Sequence, residues 1–318
     1  MKRIAILTSG GDCPGMNACV RAVVRYGISQ GLEVYGVNRG YAGLVEGDIV
    51  PMTERSVGNI IQLGGTILKT ARCKEFKDPA VQDKVARKLK KSGIEGLVIV
   101  GGDGTFRGAN ELIKRGILCA CIPGTIDNNL PYTDYTIGFD TATNTVVDLI
   151  NKVRDTSMSH DRVSIVETMG AGCGDIALKA GLASGADMVV VPEVKLTIDE
   201  ICEKLMKSKA GNKRFSILVV SEHIFNINEL SDAIKEKCGI ECRIISFGHV
   251  QRGGSPSAFD RNLATNFGVR AIEELMNNNC GVVGYRNGEY IYLPIDEALA
   301  VKSRFNYDEY KLVEKLSF

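Results

Sequence analysis

The stretch Leu97-Val98-Ile99-Val100-Gly101-Gly102-Asp103-Gly104-Thr105 decides the fold of this 318-residue chain. Four apolar residues that stop at two glycines predict a buried strand running into a tight turn. We expect Thr105 to cap a helix over 106–114, whose first amides attract an anion such as phosphate. The glycines would let backbone approach that phosphate, and Asp103 would offer the oxygen ligand that Mg²⁺ prefers. The stretch predicts a nucleotide–Mg²⁺ site, with a purely structural turn as the alternative.

Composition and charge narrow the classes to which the chain can belong. Hydrophobic residues make up 44% of the sequence and charged residues 24%, which excludes a disordered or fibrous protein. The net charge of +1 gives no overall field for nucleic acid or an acidic membrane, so anions must be bound by locally placed Arg and Lys. With no run of about 18 apolar residues and a strand at the N-terminus, the sequence predicts a cytoplasmic protein without nucleic-acid or membrane partners.

The ten cysteines are scattered along the chain, several of them within apolar runs, and no two have Cys-x-x-Cys spacing. In a cytoplasmic protein this distribution favours buried reduced thiols over disulfides or a zinc site.

Segments of strand and helix character alternate along the whole chain. Strands are predicted at 3–8, 32–37, 97–100, 119–122, 163–167, 188–191, 215–220 and 244–247. Helices are predicted from residue 17 to about 30 and at 80–91, 106–114, 141–155, 176–183, 198–207, 229–237 and 257–276. The alternation predicts an α/β protein with two lobes, each a mainly parallel sheet with helices on both faces. Weak boundaries near 138 and 250–254 give one lobe of residues 1–138 plus 251–304 and another of residues 139–250 plus 305–318.

Polar residues in small-residue turns follow several of these strands, where ligands of open α/β sheets bind. Asp127, in the turn 123–129, is the candidate base that takes a proton from a substrate hydroxyl; a turn-stabilising aspartate is the alternative. His249 and Arg252 are three residues apart in a glycine-bracketed turn that suits a small phosphate. Arg154, Arg162 and Arg243 add further cations.

The chain resembles a known family, the bacterial 6-phosphofructokinases of glycolysis. The similarity covers essentially the whole chain and is carried by the motifs at 8–17, 101–105, 123–128, 133–142, 169–170 and 248–256. Gly-Gly-Asp-Gly-Thr alone is shared with NAD kinases and lipid kinases, whereas the complete ordered set is specific. The resemblance implies an ATP-dependent kinase that phosphorylates fructose 6-phosphate at its 1-hydroxyl, giving fructose 1,6-bisphosphate and ADP.

The resemblance also implies roles for single residues. Asp103 would bind Mg²⁺, Arg72 would offset charge on the transferred phosphoryl group, and Asp127 would act as the base with Thr125 beside it. The residues implied to hold ATP are Gly11, Arg72, Cys73, Gly102, Asp103, Gly104 and Thr105. The lobe built from 1–138 plus 251–304 would thus bind the nucleotide.

The second lobe would bind the sugar phosphate. The resemblance implies that Arg162 and Arg243 of a neighbouring subunit hold the 6-phosphate, together with His249 and Arg252. Glu222, Met169 and Gly170 would contact the sugar. Because the family is tetrameric and a neighbour completes the site, a homotetramer is expected.

Two glycines bear on the phosphoryl donor. Pyrophosphate-using relatives carry an acidic residue at the position of Gly104 and a lysine at that of Gly124, which fill space that a nucleotide needs. Since both positions are glycine here, the sequence favours ATP as the donor.

The family has an effector site between subunits for ADP or phosphoenolpyruvate. Matching positions are Arg21, Arg25, Arg154, Gly185, Asp187 and Lys213. Glu54, Gly211 and Phe215 depart from the family pattern, and Glu54 would repel a phosphate where an arginine is usual. These departures put effector control in question.

Two departures touch the active site: Asn129 replaces an aspartate, and Ala171 replaces an arginine. Loss of such a cation can cost several kcal/mol of transition-state stabilisation. They leave open a non-catalytic paralogue or subunit that binds sugar phosphate. A kinase of another ketose phosphate, such as tagatose 6-phosphate or sedoheptulose 7-phosphate, is a further alternative. Because Asp103, Asp127 and Arg72 are all present, the sequence favours an active enzyme.

Overall fold

The computed structural model describes residues 1–211, 213–302 and 304–317, which fall into two units. The first unit comprises Met1–Ile126, Leu130–Thr141 and Arg252–Lys302. The second comprises Asp127–Asn129, Ala142–Gln251 and the described residues after 303. The positions at 303 and 318 that the predicted lobes include lie outside the described residues.

Strands and helices alternate as far as residue 276. The strands are β1 (Arg3–Thr8), β2 (Glu33–Val37), β3 (Ile49–Pro51), β4 (Gly96–Gly101), β5 (Leu118–Pro123), β6 (Val163–Thr168), β7 (Met188–Val190), β8 (Ser216–Ser221), β9 (Cys242–Ser246), β10 (Gly281–Arg286) and β11 (Glu289–Leu293). The helices are α1 (Met16–Ser29), α2 (Tyr41–Glu46), α3 (Pro79–Lys91), α4 (Asp103–Ile113), α5 (Phe139–Ser159), α6 (Asp175–Ser184), α7 (Ile198–Ala210), α8 (Ile227–Cys238), α9 (Ala258–Met276), α10 (Ile295–Ala300) and α11 (Tyr307–Leu316).

The sheet of the first unit has the described strand order β11-β10-β5-β4-β1-β2-β3. Its inner strands pair in parallel, and only the outer strands β3 and β11 run antiparallel to their neighbours. The register pairs Thr8 with Val100 and Gly101 with Pro123. The carboxyl ends of β1, β4 and β5 therefore lie side by side at one level.

Both faces of this sheet are buried, because successive side chains of a strand point to opposite faces. Leu7 and Ile99 face the side where Phe106 of α4 packs. Ile4 faces the other side, and a Cβ on Gly27 of α1 would lie 3.5 Å from its Cδ1 atom. Helices on both sides explain why these strands are continuous apolar runs, and the predicted α/β architecture is confirmed.

The second unit has a parallel sheet in the described order β7-β8-β6-β9. Ile165 and Leu218 pack with Leu205 of α7 and Ile234 of α8 on one face. On the other face α6 comes so close that a Cβ on Gly181 would lie 2.3 Å from Val189 Cγ2. Here too the strand ends, rather than the sheet faces, are open to a ligand.

The predicted cap of α4 is wrong. The helix begins at Asp103, three residues before the predicted start, and its N-cap is Gly102, which makes no side-chain cap. Thr105 lies inside the first turn, where its side chain is buried and its Oγ1 would be 3.4 Å from a Cβ on Gly10. The threonine hydroxyl packs under the turn after β1 and is thus used for packing instead of capping.

The hairpin of β10 and β11 was not predicted, although its signal is in the sequence. Asn287 and Gly288 connect the two strands with φ angles of 53° and 87°. Positive φ at both central residues and an Asn-Gly pair are typical of a two-residue hairpin turn.

Among the described helices, none has the length and apolar character needed to cross a membrane.

A buried carboxylate holds the start of α5. Asp260 of α9 is fully buried and accepts hydrogen bonds from Gly138 N (2.9 Å), Thr141 N (2.8 Å) and Thr141 Oγ1 (2.5 Å). Burial raises the pKa of Asp260 to about 6, against the opposing effect of these donors. The side chain thereby joins α9 to the N-terminus of α5.

Replacing Asp260 with Asn should change how stability depends on pH. Since the folded-state pKa lies above that of the unfolded chain, folding favours the protonated form. This contribution is fully present below about pH 4 and is lost as the pH rises towards 6. The wild-type advantage over Asp260→Asn should therefore be larger at pH 5 than at pH 7, by on the order of 1 kcal/mol. Urea unfolding at both pH values measures this difference, and the exposed Asp148→Asn is the control. Parallel pH dependences of wild type and Asp260→Asn would contradict it.

Candidate active site

Three turns meet at the carboxyl edge of the first unit's sheet. Ser9 N donates to Val100 O (2.9 Å), and Gly124 N donates to Gly101 O (2.9 Å). The turn after β1 carries Gly11, the turn after β4 carries Gly102 to Thr105, and the turn after β5 carries Thr125. Backbone hydrogen bonds thus bring these predicted nucleotide and substrate residues together.

The glycines of this edge serve two different purposes. A Cβ on Gly101 would lie 2.6 Å from Ser9 O, so the chain itself requires glycine there. A Cβ on Gly104 would meet no atom within 4 Å, and one on Gly102 would only approach Thr125 Cβ at 4.0 Å. The N-terminus of α4 is therefore open to an approaching molecule.

Asp103 stands in the first turn of α4 and is paired with Arg107. The guanidinium donates to both carboxylate oxygens, at 2.9 and 3.1 Å, and the pair raises the pKa of Arg107. The Asp103 side chain is still 46% exposed, so this surface pair can exchange for another cation. Sequence reasoning missed Arg107, although the spacing of four residues on a helix is a signal for such a pair.

Two threonines place the segment that carries Arg72 and Cys73. Thr8 Oγ1 donates to Lys69 O (2.9 Å), and Thr70 Oγ1 donates to Gly10 O (2.7 Å). Because Arg72 follows Thr70 by two residues, it lies beside the turn after β1. Arg72 is exposed, whereas Cys73 is half-buried against the core.

Arg252 also lies at this turn. Its Nε is 3.4 Å from Asp12 O and 3.6 Å from Asp12 Oδ1, and its guanidinium covers Gly11 so closely that a Cβ there would overlap it. His249 is the second residue of the same 3₁₀ helix, Gly248–Arg252, but belongs to the second unit. The structure thus assigns the two residues, predicted to act together, to different units.

In the second unit, Glu222 organises the glycine-rich turn after β6. Its Oε1 accepts hydrogen bonds from Gly170 N (3.1 Å) and Ala171 N (3.0 Å). Met169 N donates to Oε1 of the buried Gln251 (3.1 Å). Met169, Gly170 and Glu222, all predicted to contact a sugar, therefore lie together at the carboxyl ends of β6 and β8.

Asp127 lies in the segment Asp127–Asn129, which groups with this second unit. The next residue, Asn128, has a left-handed backbone with φ of 51°, and its Nδ2 donates to Asp175 Oδ2 (2.8 Å). Burial raises the pKa of Asp175 to about 6. Sequence reasoning missed Asp175, because 47 residues separate it from Asn128.

Arg162 and Arg243 lie at the opposite edge of the second unit's sheet. Arg162 directly precedes β6, and Arg243 is the second residue of β9, paired with Ser164. Since β6 spans six residues, about 20 Å separate this edge from Glu222 and Met169. Within one chain the structure does not bring these arginines to the other predicted sugar-phosphate residues.

The predicted effector residues of the second unit form two separate sets of contacts. Arg154 Nη2 donates to Ser184 O (2.5 Å) and Gly185 O (3.0 Å) at the end of α6. Lys213 pairs with Asp187 and donates to Ser317 O (2.8 Å).

In the first unit, Arg21 and Arg25 stand one turn apart on α1, and Arg25 Nη2 donates to Glu54 O (3.4 Å). Arg25 thus contacts the backbone, rather than the side chain, of Glu54, the residue that replaces the arginine usual in the family.

Both sheets carry glycine-rich turns at the carboxyl ends of their parallel strands, where α/β proteins bind small ligands. The phosphofructokinase family model matches residues 3–275. The chain belongs to the phosphofructokinase family.

Similarity to individual proteins extends over the full length. A curated relative from Clostridium novyi, an ATP-dependent 6-phosphofructokinase, is 53% identical over 100% of both chains. One of the same name from Clostridium acetobutylicum is 52% identical, also over 100% of both.

Solved structures show the same fold. Pichia pastoris phosphofructokinase in the T-state superimposes with a TM-score of 0.90 at 34% identity over 94% of this chain, which spans 35% of that longer chain. A pyrophosphate-dependent phosphofructokinase from Marinobacter aquaeolei has a TM-score of 0.86 at 19% identity, covering 97% of this chain and 86% of that one. This last likeness concerns the fold alone.

Alanine substitutions at Gly101 and Gly104 should distinguish a glycine that the fold requires from one that leaves space for a ligand. Gly101→Ala places a methyl group against Ser9 O and should cost on the order of 1–3 kcal/mol of unfolding free energy. Gly104→Ala, in open space within a helix, should change it by no more than about 1 kcal/mol. Thermal melting of both variants measures this contrast. Equal losses for the two would refute the assignment of Gly104 as open.

Proposed function

We propose that this chain transfers the terminal phosphoryl group of ATP to the 1-hydroxyl of fructose 6-phosphate, giving fructose 1,6-bisphosphate and ADP in glycolysis. The observation that carries the proposal is the open N-terminus of α4. There unfilled space at Gly104 adjoins Asp103, in a chain about half identical over its full length to ATP-dependent 6-phosphofructokinases. Helix amides and glycine backbone at such a terminus favour phosphate.

The first unit supplies the donor side. The turns with Gly11 and with Gly102 to Thr105 would bind the nucleotide phosphates through backbone amides, and Cys73 would border the nucleotide. Arg72, exposed beside the turn after β1, would offset the charge of the transferred group. An acidic side chain at 104 would fill the space at the helix terminus, so its absence supports ATP over pyrophosphate. Gly124 is less informative, because a Cβ there would lie 2.7 Å from Val100 Cγ1 whatever the donor.

Asp103 would hold Mg²⁺ when the nucleotide is bound. Within the described residues, no group of three or more His, Cys, Asp or Glu side chains is arranged around a metal position. One exposed carboxylate fits the way proteins hold this ion, which takes its other ligands from substrate phosphates and water. The bound ion would neutralise phosphate charge during transfer.

The second unit supplies the base and the sugar contacts. Asp127 would accept the proton of the 1-hydroxyl as the hydroxyl oxygen attacks the terminal phosphorus of ATP, and ADP would leave. Thr125, two residues earlier, would contact the same group of the substrate. Glu222, with Met169 and Gly170, would hold the sugar, because its carboxylate is already fixed by two amides of the turn.

The two active-site residues that depart from the family pattern, Asn129 and Ala171, change the local charge in opposite directions. Asn129 removes a negative charge from the segment that carries the base, and Ala171 removes a positive charge from the turn after β6. The two segments are joined through Asn128 and Asp175. Since the local sum of charges is unchanged, we infer that the pair of substitutions is compatible with activity.

The sugar 6-phosphate would be held across a subunit boundary. Arg252 of one chain would supply positive charge and His249 a hydrogen-bond donor. Arg162 and Arg243 stand at the wrong edge of the sheet to join Glu222 of their own chain. A neighbouring copy would supply them, which makes a homo-oligomer, such as the tetramer implied by the resemblance, part of the site.

We further propose that an anionic effector such as ADP or phosphoenolpyruvate binds where Arg154, Gly185, Asp187 and Lys213 converge, with Arg21 and Arg25 of another copy. In this structure Arg154 and Lys213 are engaged by backbone carbonyls and by Asp187. Together with Glu54, Gly211 and Phe215, this pairing favours a weak effector response. A kinase of glycolytic intermediates works where they are made, so we place it in the cytoplasm.

The direct test is the initial rate of ADP formation from Mg-ATP and fructose 6-phosphate, with pyrophosphate replacing ATP in parallel. We expect an ATP-dependent rate, and Asp127→Ser should lower kcat by about 10²–10⁴-fold while fructose 6-phosphate still binds. Gly104→Ala should bind ATP less tightly, while its unfolding free energy changes by no more than about 1 kcal/mol.

If folded protein that binds the sugar phosphate shows no phosphoryl transfer with either ATP or pyrophosphate, the chain is a binding protein and not an enzyme. A faster rate with tagatose 6-phosphate or sedoheptulose 7-phosphate would reassign the acceptor.

Mixed oligomers test the shared site. Asp127→Ser and Arg162→Ser subunits should each be nearly inactive alone, whereas reassembled mixtures should regain activity at sites that combine an intact Asp127 with an intact Arg162 from a neighbour. The readout is the rate after joint dissociation and reassociation. Mixtures of Asp127→Ser with Glu222→Gln, whose residues act in one chain, should stay inactive. Absence of recovery in the first mixture would place Arg162 outside a neighbour's site.

A further inference from the structure

The segment that carries the base has an unfavourable backbone conformation. Asn128, directly after Asp127, has φ of 51°, in the left-handed region that non-glycine residues seldom occupy. Asparagine tolerates this region better than most residues, and a hydrogen bond from its side chain helps to fix one conformation. Asp127 directly precedes this residue, so the backbone conformation at Asn128 bears on where the Asp127 side chain lies.

The partner of Asn128 is Asp175, at the first position of α6. Asn128 Nδ2 donates to Asp175 Oδ2 over 2.8 Å, and both residues belong to the second unit. A charged acceptor makes this a stronger hydrogen bond than one between neutral groups. The bond connects the segment Asp127–Asn129 to a helix that is packed into the core of the unit.

Asp175 is itself held in place from several sides. The preceding Gly174 donates its N–H to Glu193 Oε1 (3.0 Å), and a Cβ on Gly174 would lie 2.5 Å from Val191. The next residue, Ile176, is fully buried. Lys179, one turn further along α6, is bound to Glu309 of α11. The residues on both sides of Asp175 are therefore fixed by contacts within the second unit.

We propose that Asp175 is a positioning residue of the phosphoryl transfer, which holds the Asp127 carboxylate in its working orientation through the side chain of Asn128. The proposal rests on the proposed function of Asp127. Asp175 acts through another residue and touches neither the donor nor the sugar.

The surroundings explain why an aspartate is suited to this position. The carboxylate faces the Asn128 amide, Cys173, Glu193 and Lys179, and burial is the largest influence on it, raising its pKa to about 6. Burial costs a carboxylate free energy that hydrogen-bond donors must offset. The Asn128 amide is such a donor, so the bond that connects the segment to α6 also stabilises the Asp175 carboxylate.

The test compares Asp175→Ala, which removes the acceptor, with Asp175→Asn, which keeps an acceptor oxygen without the charge. We expect Asp175→Ala to lower kcat by about 10–100-fold, since a misplaced reactive group costs that much. KM for fructose 6-phosphate should change less than about twofold, because the residues that hold the sugar are unaffected. Asp175→Asn should recover most of kcat. Asp199→Ala, in the first turn of α7 on the exterior, is the matched control.

A double-variant comparison separates positioning from a general loss of structure. In an Asp127→Ser background, Asp175→Ala should cause no further loss of kcat, because the carboxylate it positions is gone. If Asp175→Ala does not fold, Asn128→Ala removes the same bond from the other side. Unchanged kcat in Asp175→Ala, a rise in KM alone, or an equal further loss without Asp127 would overturn the proposal.

A readout independent of activity distinguishes this failure from failure of the proposed function. Hydrogen exchange at the backbone amides of 127–129 should be faster in Asp175→Ala than in wild type and in Asp199→Ala. An inactive wild type that shows this difference would refute the function while keeping the contact. Equal exchange rates in an active enzyme would refute the positioning role.

Discussion

Parallel pairing of β1, β4 and β5 in one register is the constraint on which the rest of the first unit depends. The hydrogen bonds from Ser9 N to Val100 O and from Gly124 N to Gly101 O continue that pairing beyond the strands. Helices cover both faces of the sheet, so exposed backbone groups are concentrated at its ends. Three unrelated stretches of sequence therefore share one edge. The second unit repeats this solution with β6 and β8, whose turns are joined by the carboxylate of Glu222.

Local sequence was sufficient for the elements that are buried on both faces. β1 has the predicted bounds, since its apolar run is flanked by a charged residue and a serine-glycine turn. The start of α4 was misplaced because two positions suit a helix start: Asp103 in the first turn and Thr105 as the N-cap. In the structure the helix starts at Asp103, and the Thr105 side chain packs near Gly10. The small elements α2, β3, α10 and α11 and the hairpin were not predicted either, since short segments carry weak periodicity.

The candidate site was predictable as a set of strand-end turns but not as a set of contacts. The positions of Gly11, Asp103 and Glu222 follow from the rule that parallel strands present their carboxyl ends together. The contacts of Asp260, Asp175 and Arg252 could not be predicted by this rule, because their partners are distant in sequence. The predicted strands already placed Arg162 and Arg243 before a strand and Glu222 after one. The parallel pairing of these strands turns that chain order into a separation of about 20 Å.

The open space at Gly104 also bears on how donor use can evolve. Every glycine codon differs at one base from a codon for aspartate or glutamate, and the fold tolerates a side chain at this position because no atom lies within 4 Å of its Cβ. Lysine at position 124 requires at least two base changes and displacement of Val100. In a lineage that changes from ATP to a smaller phosphoryl donor, the substitution of Gly104 would therefore be tolerated by the fold, whereas that of Gly124 would require repacking. Packing as much as selection would then set the order of the two changes.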